Sequence, residues 1–387
     1  MPQDMLWLPS TQIYGEPGAG AGFLTQLSDL LIEIGFRQMI QDPNAYVLAD
    51  TDGPYHGTLA LSTDDIFSGG DDHMDAALNK IHERFPLGER QVGGGVYCGV
   101  QWGTLPDGTL QAHQNPYIAS IDQIPVTTAD KTTPERRLTE GQELALRTLV
   151  GTMHFCVTRT RPAEAAQVSM LQSSLHKARI RHIVAANKLL RRMRETPNEV
   201  LTFRPMPGDA VPVALTDAAL ANRPDGKTQG AYMVGIHSPS TGLFHLIGWK
   251  SKALKKVCHD STQAETRQAQ YTLQAIEGFV MQLQEMQKHI MTPPATFVTD
   301  CLDLMSKTFS LKAGFKDPRL TNIVVELRDS LRDGTLGNMI HIPGNQNPCD
   351  ALTKLKTTTR KFLVHAVCGR LTLPAPTGKH NSANIRS

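Results

Sequence analysis

What most constrains the fold of this 387-residue chain is the order of its apolar runs after residue 208. Three strand-like stretches follow one another with short polar turns between them: "VPVALTDA" at 211–218, "GAYMVGIHS" at 230–238 and "LFHLIGWKS" at 243–251. Their valines, isoleucines and aromatics suit a pleated, buried surface. A long helix is then predicted over 261–290, followed by a strand in "ATFVTDC" (295–301), helical segments across 302–333, a strand in "NMIHIP" (338–343) and a last helix near 348–366. Three antiparallel strands followed by alternating helices and strands make a mixed sheet flanked by helices, an α/β arrangement.

In that layout Asp217 ends the first strand, where a bare carboxylate at the sheet rim needs a partner. Glu265, in "HDSTQAET", sits on the first turn or two of the long helix. Asp300 stands where the fourth strand stops, and Asp350, in "NPCDALTK", opens the last helix. Each alone reads as a helix or turn cap. Together they converge on the crevice beyond the strand ends, where ligands gather in open α/β sheets. Four like charges there call for cations. Mg²⁺ takes hard oxygen ligands, and two ions about 3.5–4 Å apart can hold both the attacking and leaving oxygens of a phosphodiester, with Asp217 as the shared ligand.

The earlier part reads differently. Residues 25–41 carry apolar positions at helical spacing, "YHGTLALSTDDIFSGG" (55–70) reads as a strand turning at Asp64 and Asp65, and a helix follows at 72–84. Short strands with Gly-rich turns come next in "GGGVYCGVQWGTLPDGTLQAHQ" (93–114), where "LPDGTL" has hairpin chemistry. Residues 125–140 are polar and read as a linker, and 140–196 turn helical, with a stripe of Ile180, Ile183, Val184, Asn187 and Leu190 expected to face the core.

Composition sets the outer bounds. With 40% hydrophobic and 20% charged residues the chain is globular in character. No apolar run nears the roughly 18 residues of a membrane span, and "MPQDMLWLPSTQIYG" is not built like a secretory signal. The expectation is an intracellular protein with no membrane partner, its compartment left open. Six cysteines form no CxxC pair and signal neither a zinc cluster nor a disulfide framework. Net charge is only +2, yet His176–Arg194 and Ala351–Ser387 each hold seven Lys or Arg and no acid. Such local excess suits phosphate contact, and equally a solvated helix face and tail.

The segments "LTDAALANRPDGKTQGAYMVGI", "LIGWKSKALKKVCHDSTQAET", "FVTDCLDL" and "IHIPGNQNPCDALTK" together resemble the RNase H domain of reverse-transcribing elements, specifically the pol polyprotein of copia-type LTR retrotransposons. The resemblance spans roughly 205–356, its last piece being close to the family's "ADxLTK". It implies cleavage of RNA in an RNA/DNA hybrid with two Mg²⁺ (or Mn²⁺) ions, carried by Asp217, Glu265, Asp300 and Asp350 as catalytic and metal-binding residues. One departure stands out: many RNases H place a histidine in the loop before the final Asp, and here that loop is "PGNQNP" with Asn345 and Asn347. His341 lies earlier, inside the expected strand, and reads as structural.

The front half resembles the reverse transcriptase of the same family. "ALSTDDIFSGG" is similar to its paired-aspartate turn, with Ser62 where an aromatic is usual, "CGVQW" resembles the strand after the palm, and "RTRPAEAAQVSML" resembles the segment ending in "TRPD", with Ala163 and Glu164 in place of the acid. "YGEPGAGAGF" departs further, with Gly18, Gly20 and Ala21 where Gln, Pro and Arg are usual. The palm's third aspartate lies upstream of that motif in the family, so Asp64 and Asp65 are read as a former polymerase site. The resemblance thus divides the chain into a truncated palm (1–124), a linker (125–140), a helical connection or thumb-like region (141–204), an RNase H-like domain (205–366) and a disordered basic tail (367–387). Lys177, Arg179, Arg181, Lys188, Arg191 and Arg192, with Asn222 and Asn345, are the candidate nucleic-acid contacts. Two alternatives to an active nuclease stand: a decayed retroelement fragment that only binds nucleic acid, or a part of a longer polyprotein, with its other pol segments as partners, that polymerises DNA on RNA. An unrelated hydrolase would need a nucleophile elbow such as GxSxG, which is absent.

Overall fold

The structure is a computed structural model and describes residues 19–51, 53–63, 65–85, 88–287, 292–310, 315–355 and 358–375. The chain divides into two compact units, Met1–Val92 with Met281–Thr292, and Gly93–Val280 with Pro293–Ser387.

The first unit holds α1 (Ala19–Glu33), β1 (Phe36–Gln38), β2 (Ala45–Ala49), β3 (Tyr55–Ser62), β4 (Asp65–Gly70) and α2 (Asp72–Arg84). The four strands pair antiparallel in the order β1-β2-β3-β4. Leu27 and Leu31 of α1 and Met74 and Ile81 of α2 close the core against Phe36, Tyr46 and Leu59. The helical spacing of 25–41 does not run to its end. Gly35, at φ +106°, takes a conformation L side chains rarely adopt and stops α1. Residues 36–38 then pair with β2 as an edge strand.

The second unit opens with β5 (Gly94–Tyr97), β6 (Val100–Thr104) and β7 (Leu110–His113), then α3 (Asn115–Ser120), α4 (Thr128–Thr132), α5 (Glu140–Arg159), α6 (Ala165–Ser174), α7 (Ile180–Glu195) and β8 (Leu201–Phe203). β8 pairs with β7 and completes a four-stranded antiparallel sheet. Residues 93–124, expected with the palm, therefore pack with the helices C-terminal to them: Val100, Ala112 and Ile118 share one core with Leu146, Met153 and Ile183. The expected linker carries α4, fixed by a capping box between Thr127 and Asp130, and Ile124 exchanges hydrogen bonds with the buried Asn187 side chain. On α7 the stripe is corrected at one position. Val184 is 43% exposed, and Ala186, Leu189 and Met193 are buried beside Ile180, Ile183, Asn187 and Leu190.

Next come β9 (Val211–Ala219), β10 (Gln229–His237), β11 (Phe244–Ala253), α8 (Ser261–Met286), β12 (Ala295–Thr299), α9 (Leu302–Phe309), α10 (Pro318–Arg332), β13 (Leu336–His341), α11 (Asp350–Thr353) and α12 (Arg360–Val367). The sheet order is β11-β10-β9-β12-β13, antiparallel across the first three and parallel from β9 through β13. This is the mixed α/β sheet the order of apolar runs requires, and β9 at its centre is buried from Pro212 onward. The expected last helix breaks in two because Lys354 turns extended after α11 (φ −122°, ψ 149°). The basic tail is structured at its start: Leu371 is buried and its N–H donates to Gly242 O at 3.0 Å. Residues 376–387 lie outside the described ones.

Candidate active site at the ends of the parallel strands

Strand register builds this site. β12 runs parallel to β9 with Val298 opposite Leu215, so Asp217 and Asp300, each two residues further along, emerge at the same sheet end on the same side of the pleat. Glu265, in the second turn of α8, is brought to them by its Oε1 accepting the Ala218 N–H at 3.0 Å. A hydrogen bond between Thr272 and Thr216 hydroxyls at 2.9 Å ties the same helix to β9. One carboxylate oxygen from each of Asp217, Glu265 and Asp300 lies within 4.8 Å of the other two.

Burial makes this arrangement costly for anions. Asp217 is 2% exposed and its carboxyl is pushed up to about 7, by burial first and the Asp300 charge second. Glu265 is held well above the usual carboxylate range by burial and then by Asp217 and Asp300, and burial also raises Asp300. Glu265 Oε2 is buried with no hydrogen-bond partner among the described residues. A hard cation fits this donor set: three oxygens converge, their mutual repulsion is only partly met by the Lys354 ammonium, and one buried lone-pair site is unused.

Asp350 is placed apart from that trio. It is buried, but its Oδ1 holds the Lys354 ammonium and its Oδ2 accepts the Thr359 hydroxyl at 2.8 Å. Three of the four expected acids thus share one 4.8 Å group, while the fourth is held by its neighbours four and nine residues on and still raises Asp217 and Asp300 by its charge. Lys354 is opposed by burial, but Asp350, Asp217 and Asp300 outweigh that and raise it. Thr353 donates to Asp217 Oδ2. Sequence reasoning counted Lys354 only among the basic residues of 351–387 and gave Thr353 no role, although Lys354 at i+4 from Asp350 was the available signal.

The part played by Asn347 was missed as well. It is fully buried, donates to Thr216 O at 2.9 Å and accepts from Cys349 N at 3.0 Å, locking the "PGNQNP" loop beneath the acids. Asn345 is exposed on that loop. Asn222 is committed to structure, its amide donating to Thr353 O at 2.6 Å, and His341 Nε2 lies 3.2 Å from Asp300 O.

The basic helix is divided. Lys177, Lys188 and Arg191 are exposed. Arg179 and Arg181 bind Glu135, and Arg192 turns inward to Glu164 (3.5 Å) and Gln167 (2.8 Å), which removes it from the solvent-facing set expected for nucleic acid. In the first unit Asp65 is exposed beside the hairpin turn, and Asp64 lies outside the described residues.

No protein-family model matches the chain. Two curated relatives do: the retrovirus-related Pol polyproteins from transposons RE1 and RE2 of Arabidopsis thaliana are each 25% identical to it over 88% of its length. The chain is similar in sequence to retrotransposon Pol polyproteins. It spans 23% and 24% of the length of these two Pol relatives. Among solved structures, RNase H1 from the halophilic archaeon Halobacterium salinarum NRC-1 is 20% identical and aligns with 36% of this chain and 92% of its own, with a TM-score of 0.27. The foamy viral protease-reverse transcriptase in complex with dsDNA is 12% identical over 81% of this chain and 57% of its own, with a TM-score of 0.44.

Proposed function

We propose that this Pol-related chain is a divalent-cation-dependent nuclease that cleaves the RNA strand of an RNA/DNA hybrid, with Asp217, Glu265 and Asp300 holding Mg²⁺. The observation that carries this reading is the carboxylate trio, Asp217 and Glu265 buried and Asp300 half-buried, with a Glu265 oxygen that has no partner among the described residues. When bound, such an ion supplies the positive charge that draws in a phosphodiester and acidifies an attacking water. Asp217, flanked by Glu265 and Asp300, is the carboxylate best placed to serve more than one ion. The Thr353 hydroxyl and the Ala218 N–H orient Asp217 and Glu265, so little reorganisation is needed on binding. A second ion would draw on Asp350 and displace the Lys354 ammonium. Lys177, Lys188 and Arg191 supply exposed charge for the backbone of the hybrid, and a strand bearing 2′-hydroxyls is what separates its substrate from duplex DNA.

The test is cleavage of a labelled hybrid in Mg²⁺ or Mn²⁺, with duplex DNA as control. RNA cutting abolished by EDTA and by Asp217→Asn is expected. Salt-sensitive hybrid binding with no divalent-dependent cutting would leave the binding-only alternative, which the Lys354–Asp350 ion pair and the loop without histidine favour.

A further inference from the structure

We propose that His56, Asp71 and His73, in the first unit, form a second cation site, suited to a borderline divalent transition ion such as Zn²⁺ rather than to Mg²⁺. Hairpin register creates it. β3 and β4 pair from Ser62 opposite Asp65 down to Gly57 opposite Gly70, which leaves His56 and Asp71 facing each other just past the open end of the ladder. The Asp71 N–H donates to His56 O at 2.9 Å. α2 begins one residue later, with Asp71 as its N-cap accepting from His73 N at 2.9 Å, so His73 returns over His56. The two imidazoles stack with centroids 4.0 Å apart.

The Asp71 carboxylate spans both rings, its Oδ2 lying 2.8 Å from His56 Nδ1 and its Oδ1 3.4 Å from His73 Nδ1. One donor atom of each of the three residues lies within 4.8 Å of the others. Donors about 2.0–2.1 Å from a tetrahedral ion are themselves roughly 3.4 Å apart, so small side-chain movements suffice. Those movements are available: the side chains of His73 and Asp71 are 70% and 49% exposed, whereas His56, at 8%, is the fixed point. Behind that ring, Asp50 Oδ1 stands 3.5 Å from His56 Nε2. A carboxylate on the far nitrogen of a ligating imidazole sets its tautomer and strengthens it as a donor.

The backbone below is bare for a reason. A Cβ on Gly57 would come within 2.5 Å of Gly69 O and 2.7 Å of Met74 Cε, and one on Gly70 within 2.3 Å of His56 O and 2.7 Å of Met74 Cβ. Glycine at both positions lets α2 press onto the hairpin, and that contact holds Asp71 and His73 against His56. Two imidazoles and one carboxylate with an open side are the donors of a Zn²⁺, Co²⁺ or Ni²⁺ site, whereas Mg²⁺ asks for oxygen alone.

The test is a titration of the full chain with Zn²⁺ by calorimetry and with Co²⁺ by visible absorption, both in millimolar Mg²⁺ so that the acidic trio is already served. Wild type, His73→Ala and Asp71→Asn are compared. His73 is exposed and asparagine still caps a helix, so both variants keep the fold, checked by circular dichroism, and all carry the same six cysteines. The expected result is that wild type binds one more equivalent than either variant, or the same equivalent about tenfold or more tightly. Zn²⁺ should also raise the melting temperature of wild type alone. Identical stoichiometry, affinity and melting in all three proteins would overturn the site and leave Asp71 a helix cap bracing a histidine.

Discussion

Two groups of buried and half-buried carboxylates in the second unit differ in how their charge is met. Glu164, with 0% exposure, lies 3.4 Å from Arg161, 3.5 Å from Arg192 and 2.8 Å from Arg360, and Arg360 also forks both oxygens of Glu199 at 2.7 Å. Three guanidiniums answer two carboxylates, and the group joins the α5–α6 junction to the ends of α7 and the start of α12. Asp217, Glu265 and Asp300 crowd just as closely, yet the neighbouring ammonium, Lys354, is bound to Asp350. The first group is a brace whose carboxylates are each met by guanidinium charge, even though Glu164 Oε2 and the Nε atoms of Arg161, Arg192 and Arg360 make no hydrogen bond among the described residues. The second is only partly offset by the Lys354 ammonium, and its three carboxyls remain raised, which marks a place for a cation from outside.

Removing one partner from the brace should have the largest effect. Glu164→Gln leaves the buried Arg161 and the half-buried Arg192 and Arg360 short of a counter-charge and is expected to cost about 3–5 kcal/mol, read as a lower urea midpoint for the second unit. A loss below about 1 kcal/mol, the range of exposed pairs, would end the distinction between the groups.

The acidic trio should respond with the opposite sign. Without divalent ions, Asp217→Asn relieves repulsion and is expected to stabilise by about 1–2 kcal/mol, as other functional-site neutralisations do. The pH dependence follows from the same carboxyl. Its folded value is raised from 3.8 to about 7, so between those values the folded chain holds a proton that the unfolded chain has released. Its contribution to stability is full below about 4 and is lost as pH rises through about 7. Melting at about pH 5 and pH 8 should show the wild type losing on the order of 2 kcal/mol more than Asp217→Asn. Mg²⁺ should restore most of that loss at the higher pH in the wild type alone, since it competes with the proton for the same oxygens. A wild type that gains stability relative to the variant as pH rises would refute the partly offset cluster.

The same contrast separates residues legible in the sequence from those that were not. The three acids were legible because each stood where an apolar run stops or a helix begins, and the sheet order followed from the spacing of those runs. The brace was not, because Arg161, Glu164, Arg192, Glu199 and Arg360 come from segments far apart in sequence, and Glu164 drew notice only as a departure from "TRPD". The local engagement of Asp350 was not legible for a related reason: its position in "DALTK" suits a ligand, and nothing in that motif announces the contacts with Lys354 and Thr359. Val184 shows the limit of periodicity, since α7 turned its buried face toward Ala186, Leu189 and Met193 instead. Residues 36–38 show it again, because helical spacing says nothing of the glycine that ends the helix before them.

The smallest change with a defined sign is Thr353→Val, which keeps the shape of the side chain and deletes one donor. Thr353 gives its hydroxyl hydrogen to Asp217 Oδ2 and is buried with it, and that bond is among the influences lowering the Asp217 carboxyl against burial. Its loss leaves one carboxylate oxygen without a donor and is expected to cost about 1 kcal/mol. The variant should hold its Asp217 proton to higher pH, so the pH at which Mg²⁺ begins to stabilise the chain should move upward relative to wild type, as followed by melting across a pH series. Glu164→Gln, acting on the other group, should leave that pH unchanged while lowering stability throughout. If both substitutions moved it alike, the brace and the acidic trio would be one electrostatic unit, and the contrast between a charge-matched cluster and a partly offset one would fail.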